Sequence, residues 1–433
     1  MEKLMQYVWQ HRLWQPALMR TVSGQQIHII DPGRINTDAG PDFFNAKIEI
    51  GGRMWAGNVE IHLRASDWHR HHHDGDEAYD SVILHVVRCS DCEIHRSNGE
   101  LIPQMVMVCD PKFADRYAEM VNGSLDTLGC AAEIPSLDPF HVSDCLCTMA
   151  FERLQEKAAR IVRISDDNGG NWGEAVYITL ARTLGFGLNS DPFERLAMAL
   201  PLRVMRKHTD NQDAVEGMLF GMAGFLDDIP AEGDDHPNIM AREYQFMRAK
   251  FGLVQPRNLG WKMSRMRPQN MPHRRLAALA QLICTGGLAA AYDIVTVQTP
   301  EEARRLFDIE MTGYWSRHLN FGAPNTTNVR AFSDRMLDVL IINTVVPVMY
   351  AYAHRYGDEA MAERAISFLE SLKPEENTIV RMFGSAGIRA RNAMESQALI
   401  QLRRNYCMNR KCLYCRFGHR FLSRKAAQPI GRQ

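Results

Sequence analysis

The sequence lacks an excess of charge of either sign. Its 433 residues include 50 lysines and arginines against 51 aspartates and glutamates, for a formal net charge of −1. A protein with so little net charge has no overall field that attracts nucleic acid. Any surface that binds phosphate must therefore be a local concentration of basic residues.

Long apolar runs and targeting features are also scarce. No stretch approaches the roughly 20 apolar residues of a membrane span, and the start of the chain, residues 1–7, lacks the apolar core of a signal peptide. The 10 cysteines are scattered along a long chain, which favours thiols or metal ligands over a disulfide framework. We therefore expect a cytoplasmic protein without a membrane partner, and the sequence leaves its oligomeric state open.

The hydrophobic pattern divides the chain. Its length suggests two or three domains. Strand-like runs occupy residues 26–31, 44–50, 54–64, 82–88 and 101–109, and after about residue 140 the period changes to 3.6. We predict an α+β protein with a mixed β-sheet domain at residues 1–115, a linker at 116–140, a larger all-helical domain at 141–402 and a basic, cysteine-rich segment at 403–433.

The polar residues of the predicted sheet form the first candidate site. The 58–64 run alternates, so Glu60 and His62 share one face. Asp42 precedes the neighbouring strand, across a hairpin at Gly51-Gly52. Two carboxylates with open water positions suit Mg²⁺ or Mn²⁺. We predict that Asp42 and Glu60 bind the metal and that His62 activates or positions water; the alternative is a polar face whose side chains bond only one another.

A histidine-dense loop follows at residues 68–74. Its imidazoles are suited to a transition metal, and we name His69 and His71 as further candidate ligands, together with Asp67. The alternative is an exposed, pH-sensitive loop beside the site. His85, alone in an apolar strand, is either a hydrogen-bonded core residue or a partner of His62 across the sheet.

A second candidate metal site lies near the C-terminus. Cys407, Cys412, Cys415 and His419 fall within thirteen residues. Three thiolates and an imidazole match a closed Zn²⁺ site, and the same thiolates could hold an iron–sulfur cluster. The alternative is a set of free thiols at a frayed terminus.

A second basic stretch contains no acidic residue. Arg265, Arg267, Arg274 and Arg275 lie in it and are candidates to bind the phosphates of DNA or RNA. In the rival interpretation, these arginines pair with the acidic 228–235 loop or cap helix ends.

These residues resemble an uncharacterised bacterial family, domain of unknown function 2851. The resemblance is carried by Ala39-Gly40-Pro41-Asp42-Phe43, Trp55-Ala56-Gly57-Asn58-Val59-Glu60-Ile61-His62, Ser66-Asp67-Trp68, Tyr79-Asp80, Val82-Ile83-Leu84-His85-Val86-Val87, Met266-Arg267-Pro268-Gln269-Asn270, Ser396-Gln397-Ala398-Leu399-Ile400-Gln401-Leu402 and Tyr406-Cys407. It covers nearly the whole chain, but it implies no activity, because the family's function is unknown.

The N-terminal part more distantly resembles the PD-(D/E)xK nuclease superfamily. Those proteins place Asp on one strand and Glu-x-Lys on the next, and the two carboxylates hold Mg²⁺. Pro41-Asp42 resembles the first element and Glu60-Ile61-His62 the second. The resemblance implies a restriction-endonuclease-like sheet, with His62 where the superfamily usually has lysine; a neutral imidazole does not supply a lysine's fixed charge.

The leading hypothesis is a metal-dependent, nuclease-like phosphodiesterase that acts on DNA or RNA. One alternative is a non-catalytic nucleic-acid-binding or scaffold protein with a degenerate nuclease fold. The other is a metal-dependent hydrolase of a small phosphorylated substrate.

Overall fold

The chain folds into two compact units. The computed structural model describes residues 1–14, 19–36, 39–227, 229, 235–264, 266, 268–286, 291–322, 324–325 and 330–423. One unit comprises Met1–Asp138 with Arg403–Gln433, and the other Pro139–Leu402. The C-terminal segment, which the sequence analysis treats separately, thus groups with the sheet. A mixed sheet followed by a mostly helical region confirms the predicted α+β class.

The first unit is built on a six-stranded sheet. Its strands are β1 (Ile27–Asp31), β2 (Arg34–Ile35), β3 (Phe43–Ile50), β4 (Arg53–Arg64), β5 (Val82–Cys89) and β6 (Gln104–Val106), and its first helices are α1 (Glu2–Gln10), α2 (Asp67–Arg70) and α3 (Pro111–Asn122). The sheet order is β1-β3-β4-β5-β6, with β2 beside β3. The strands from β1 to β4 pair antiparallel, whereas β4, β5 and β6 run parallel.

Local sequence explains the centre of this sheet. Gly51 and Gly52 have φ values of +57° and +82°, as a type I′ turn requires at both central positions, so the predicted hairpin is confirmed. On β4, Val59 and Ile61 enter the apolar core that α1 covers. Glu60 lies on the other face. The predicted 101–109 strand is reduced to β6, which begins after Pro103, a residue without an N–H to donate.

The second unit is helical throughout its described part. Its helices are α4 (Pro139–Asp167), α5 (Trp172–Leu184), α6 (Ser190–Ala199), α7 (Leu202–Met205), α8 (Gln212–Met222), α9 (Asp235–Phe251), α10 (Pro272–Cys284), α11 (Ala291–Thr296), α12 (Pro300–Arg305), α13 (Asp334–Leu340), α14 (Val346–Tyr356), α15 (Glu359–Ser371), α16 (Thr378–Ser385) and α17 (Ala393–Gln401). The helical periodicity of the sequence continues through residues 191–207 without marking a break, but the structure does not form a single helix there. The segment is instead divided between α6 and α7, because Pro201 disfavours a helical conformation at Leu200.

One helical run corrects an expectation from the sequence. Helices α13 and α14 join through a π-helical turn at Ile341–Val345. The resulting 23-residue stretch is apolar and long enough to cross a membrane, so the statement that no stretch approaches this length was wrong. Since 78% of its most apolar window is buried inside the protein, it has the burial of a core helix.

The described part of the C-terminal segment ends in α18 (Arg416–Ser423). Arg403 donates hydrogen bonds to the carbonyl oxygens of Leu125 and Thr127. Leu413 and Leu422 are buried in the same core as α1. This segment therefore contributes to the core of the sheet-containing unit.

Candidate metal centre on the sheet

Glu60 and His62 lie side by side on the polar face of β4. Their side chains are 6% and 2% exposed, and Glu60 Oε1 lies 3.3 Å from His62 Nε2. The alternation of the strand predicts this shared face. Burying a carboxyl group and an imidazole together is costly unless they bind each other or a ligand.

The histidine-dense loop supplies two more groups to this pair. His71 Nδ1 lies 3.2 Å from His62 Nε2, and His73 Nε2 lies 3.5 Å from Glu60 Oε1. His72, between them, has a left-handed backbone with φ of 62°, which helps reverse the chain so that both neighbours face β4. Ligand atoms of His62, His71 and His73 all lie within 4.8 Å of one another.

The spacing of these atoms matches that of ligands around one ion. Bonds of about 2.0–2.2 Å to an octahedral or tetrahedral metal place neighbouring ligand atoms about 2.9–3.6 Å apart. The three separations given above are 3.2, 3.3 and 3.5 Å. Glu60, His62, His71 and His73, called the histidine cluster below, therefore offer a metal ion three imidazoles that lie close to one another and a carboxylate beside two of them.

His85 supports the cluster from the next strand. Its Nε2 lies 2.9 Å from His62 Nδ1, and its side chain is fully buried. A hydrogen bond at one ring nitrogen fixes the tautomer and leaves the other nitrogen for a metal. The rings of Trp68 and His85 lie 5.4 Å apart, and the Tyr79 ring stacks on His73 at 3.8 Å, so aromatic groups restrict water beside the cluster.

Asp42 reaches the cluster through its backbone. Its N–H donates to Glu60 Oε2 at 2.9 Å. The Asp42 carboxylate accepts hydrogen bonds from Gln6 Nε2 at 2.9 Å and from the Ile61 N–H at 3.0 Å. Asp42 thus orients Glu60, while its own carboxylate is held by two protein donors.

Two other candidates lie beside the cluster. His69 Nδ1 lies 3.5 Å from Asp74 Oδ1, and both side chains are about half exposed. Asp67 accepts from the Arg64 N–H at 3.1 Å and pairs with Arg70 at 2.9 Å. Asp67 therefore stabilises the start of α2 and acts on His62 through its charge, whereas His69 makes no described contact with Glu60 or His62.

Burial controls the charge of the site. Desolvation, and then the charge of Asp42, raise the pKa of Glu60 to about 9. Desolvation raises the pKa of Asp42 to about 6. Desolvation, and then neighbouring imidazoles, lower the pKa of both His62 and His85 to about 3. At neutral pH and without a cation, the favoured state has Glu60 protonated and these imidazoles neutral; a divalent cation would replace the proton.

A second group of potential ligands lies in the helical unit. Asp213, Glu216 and His236 have ligand atoms within 4.8 Å of one another. Glu216 Oε2 accepts from Trp315 Nε1 and lies 2.9 Å from His236 Nε2, while Glu216 Oε1 accepts from Gln212. These bonds satisfy the buried carboxylate within the protein. No local spacing in the sequence connects these residues, because they come from two helices, α8 and α9.

The C-terminal cysteines meet a fourth cysteine that the sequence analysis did not connect with them. Cys130, Cys407, Cys412 and Cys415 line one pocket. His419, the predicted fourth ligand, instead has its Nδ1 2.5 Å from the Tyr7 hydroxyl. No local spacing could have linked Cys130 to a motif so distant in the sequence.

The predicted phosphate-binding arginines have different positions. Arg265 and Arg267 lie outside the described residues. Arg274 is 1% exposed and donates to the carbonyl oxygens of Trp315, His318 and Arg330, so it secures the surrounding loops. Arg275 is 4% exposed, and its guanidinium lies 4.6 Å from the centre of the Phe186 ring.

Both buried arginines border a pocket of about 700 Å³. Arg330, Arg335 and Arg381 also line it, as do Asp334 and Glu376. Arg330 pairs with Asp334 and Arg335 with Glu376. Arg275 Nε and Nη1 have no hydrogen-bond partner among the described residues. The described lining therefore has more positive than negative groups.

Comparison with known proteins identifies one family. Residues 2–378 match the family described as "Protein of unknown function (DUF2851)". The segments quoted above at 396–407 lie beyond this match, as do three of the four pocket cysteines. No curated protein and no solved structure matches the chain.

Proposed function

We propose that this chain, which belongs to the DUF2851 family, is a divalent-metal-dependent hydrolase that cleaves phosphodiesters of nucleic acid. The convergence of His62, His71 and His73 within ligand distance of one another, with the Glu60 carboxylate beside two of them, carries the proposal. A metal held there would polarise a phosphoryl oxygen and lower the pKa of a bound water. The buried face of the sheet would keep the ligands fixed.

The donor set favours a transition metal over Mg²⁺. Mg²⁺ prefers oxygen ligands, whereas the cluster offers three imidazole nitrogens and one carboxylate. Imidazole suits zinc and iron, and a mixed nitrogen and oxygen set also accepts Mn²⁺. We favour Mn²⁺ as the active ion, because octahedral coordination by four protein ligands leaves two positions open.

The protein groups have distinct roles in this proposal. Glu60 and the three histidines hold the metal. The Asp42 N–H orients Glu60, and His85 orients His62. With its pKa lowered to about 3, His62 is neutral at pH 7, so it fits the role of a ligand better than that of the lysine it replaces.

Topology supports a phosphodiester as the substrate. Asp42 stands directly before β3, Glu60 and His62 lie on antiparallel β4, and parallel β5 follows beside it. The resemblance to the PD-(D/E)xK superfamily implies this order. The support is an analogy at the level of the fold.

The arginine-lined pocket of the helical unit supports a phosphate-bearing partner. Arg275 is a buried cation with two nitrogens that lack partners in the described structure. Desolvation, and then the charge of Arg274, lower its pKa to about 9. An anion in the pocket would provide charge-assisted hydrogen bonds to such a group. Exposed Arg381, at the same pocket, can contact a phosphate without reorganising the core.

Cleavage by untagged protein tests the proposal. With Mn²⁺, the full chain should cleave DNA or RNA, and Glu60→Gln or His73→Gln should lower the rate at least about 100-fold by removing a ligand. His69→Gln is the matched control, because His69 lies in the same loop and pairs only with exposed Asp74 among the described contacts. Equal loss of activity in all three variants would contradict the assigned cluster.

The non-catalytic alternative also has a structural argument. Four protein ligands can close a tetrahedron, as in structural zinc sites, and the usual lysine is absent. If this alternative is correct, the protein binds both metal and nucleic acid but does not cleave the nucleic acid. Arg381→Ala should then still make the slope of log affinity against log salt concentration shallower by about one. Arg389→Ala is the control and should leave the slope unchanged, because Arg389 is exposed and lies outside the described pocket lining.

The third hypothesis, a hydrolase of a small phosphorylated substrate, can be distinguished from a nuclease by the substrates that the protein cleaves. A hydrolase of small phosphorylated molecules should cleave an activated phosphodiester such as bis(4-nitrophenyl) phosphate and leave DNA and RNA intact. A nuclease should cleave the polymers, with a rate that falls as salt concentration rises.

A further inference from the structure

Four cysteines from distant parts of the chain border one small pocket in the sheet-containing unit. The pocket has a volume of about 40 Å³, and Cys130, Cys407, Cys412 and Cys415 line it. Of these, Cys415 is 8% exposed, and all four are free thiols. Met120, whose thioether is a weaker soft ligand than a thiolate, also lines this pocket.

The geometry of the sulfur atoms argues against a single ion. Four thiolates around one Zn²⁺, at bonds of about 2.3 Å, lie about 3.8 Å apart. Among the described residues, the groups with at least three ligand atoms within 4.8 Å of one another are the three histidines of the histidine cluster and the Asp213 group. No three of the four cysteine sulfurs therefore lie that close to one another, whereas a zinc tetrahedron would bring all four within about 3.8 Å.

We propose that Cys130, Cys407, Cys412 and Cys415 ligate an iron–sulfur cluster. Such a cluster binds more than one iron through four thiolates and therefore needs thiolates spaced more widely than those around one ion. The proposal replaces His419 with Cys130 as the fourth ligand. It is independent of the function proposed for the histidine cluster.

The surroundings of the pocket fit a negatively charged cluster. Arg403 and Arg410 also line it, and Arg403 bonds the Cys407 side chain. The backbone N–H groups of Phe417 and Gly418 donate to the Cys415 sulfur. Positive charge and N–H···S hydrogen bonds are the usual means by which proteins stabilise such clusters.

The cluster would join two segments of the sheet-containing unit. The 124–130 loop carries one ligand and the C-terminal segment three. Arg403 already bonds the carbonyl oxygens of Leu125 and Thr127, so the two segments are in contact around the pocket. Ligation across this contact would close a long chain loop, and its binding energy would contribute to folding.

Iron and acid-labile sulfide in the full-length, untagged protein test the proposal. Protein prepared without oxygen from iron-supplied cells should contain iron and sulfide in equal amounts, about two or four of each per chain. Cys130→Ser should lower the sulfide content several-fold. Two controls should retain it: Cys147→Ser, because Cys147 is exposed on α4, and His419→Gln, because His419 pairs with Tyr7. Acid-labile sulfide distinguishes this centre from the histidine cluster, because a metal ion bound by the histidine cluster brings no sulfide with it.

Several results would overturn the proposal. They are one zinc ion per chain without sulfide, unchanged sulfide in Cys130→Ser, or loss of sulfide in His419→Gln alone. If Cys130→Ser does not fold, as judged by circular dichroism, the sulfide content and Mössbauer spectrum of the unaltered protein decide. If neither of these two measurements shows a cluster, the site is rejected, whatever the nuclease assay shows.

Discussion

The histidine cluster and the cysteine pocket are two candidate metal centres of the same unit, built in opposite ways. The histidine cluster takes its ligands from residues 60–73, and three of its interatomic distances already match a single ion. The cysteine pocket joins residue 130 to residues 407–415, and its sulfurs are spread more widely. A short segment loses little chain entropy when it forms a site, whereas a site formed by distant segments needs a larger compensating energy.

A substitution in α18 should have the largest effect and should disrupt one centre alone. Gly418 packs so closely that a Cβ there would overlap the carbonyl oxygen of Cys412. Gly418→Ala should displace this ligand segment and remove most of the iron and sulfide from the cysteine pocket. The cost to stability should be about 1–3 kcal/mol, as for overpacked cores. Metal analysis and thermal unfolding would measure both effects.

Gly384→Ala is the control for that substitution. Gly384 lies in α16, and a Cβ there would meet no atom within 4 Å. Alanine at this helical position should be neutral or slightly stabilising. Metal at the histidine cluster should be unchanged in both variants; if Gly418→Ala retained all its sulfide, Cys412 would not be a ligand held by this packing.

The next prediction concerns the support of the histidine cluster. His85→Leu should leave His62 in place but remove the partner of its Nδ1. Loss of such a supporting hydrogen bond usually lowers metal affinity about 10- to 100-fold. Competition with a chelator of known affinity would measure it. His273→Leu, the same change at a buried histidine of the helical unit, should leave this affinity unaltered, and equal losses in both variants would point to a general effect on folding.

The last prediction concerns the pH dependence of metal binding, for which we expect the smallest change in affinity, counted per pH unit. Burial raises the pKa of Glu60 to about 9 in the metal-free protein, so metal binding at lower pH must displace its proton. His62, with its pKa lowered to about 3, has no proton to release. Apparent affinity should therefore rise about tenfold per pH unit from pH 7 to 9 and then level off.

Glu60→Gln provides the check on that slope. It should bind the metal more weakly and show no such rise between pH 7 and 9, because the titrating group is gone. An equal slope in the variant and the unaltered protein would assign the released proton to another group.

The sequence predicts the parts of these sites that depend on short spacing. Alternation along β4 places Glu60 beside His62, and two glycines predict the hairpin before them. The sequence did not show that His73, rather than His69, reaches Glu60, because this depends on the left-handed backbone at His72. Cys130 was missed for a different reason, since only tertiary folding brings it to the C-terminal cysteines.

Burial of charged residues was the least predictable property. Arg274 and Arg275 looked like surface residues of a basic stretch, but both are buried at the start of α10. A single sequence gives charge and order but not the depth at which a loop packs. The difference matters because a buried arginine secures loops, whereas an exposed one such as Arg381 is available to a partner.

The grouping of Arg403–Gln433 with Met1–Asp138 has a consequence for biosynthesis. A ribosome that adds roughly 5–20 residues per second needs on the order of tens of seconds to pass from the end of the first segment to the beginning of the last. During that interval, the nascent sheet lacks Leu413 and Leu422 from its core, while the intervening helices can fold as they emerge. The sheet-containing unit is thus completed only after the helical unit between its two segments has been synthesised.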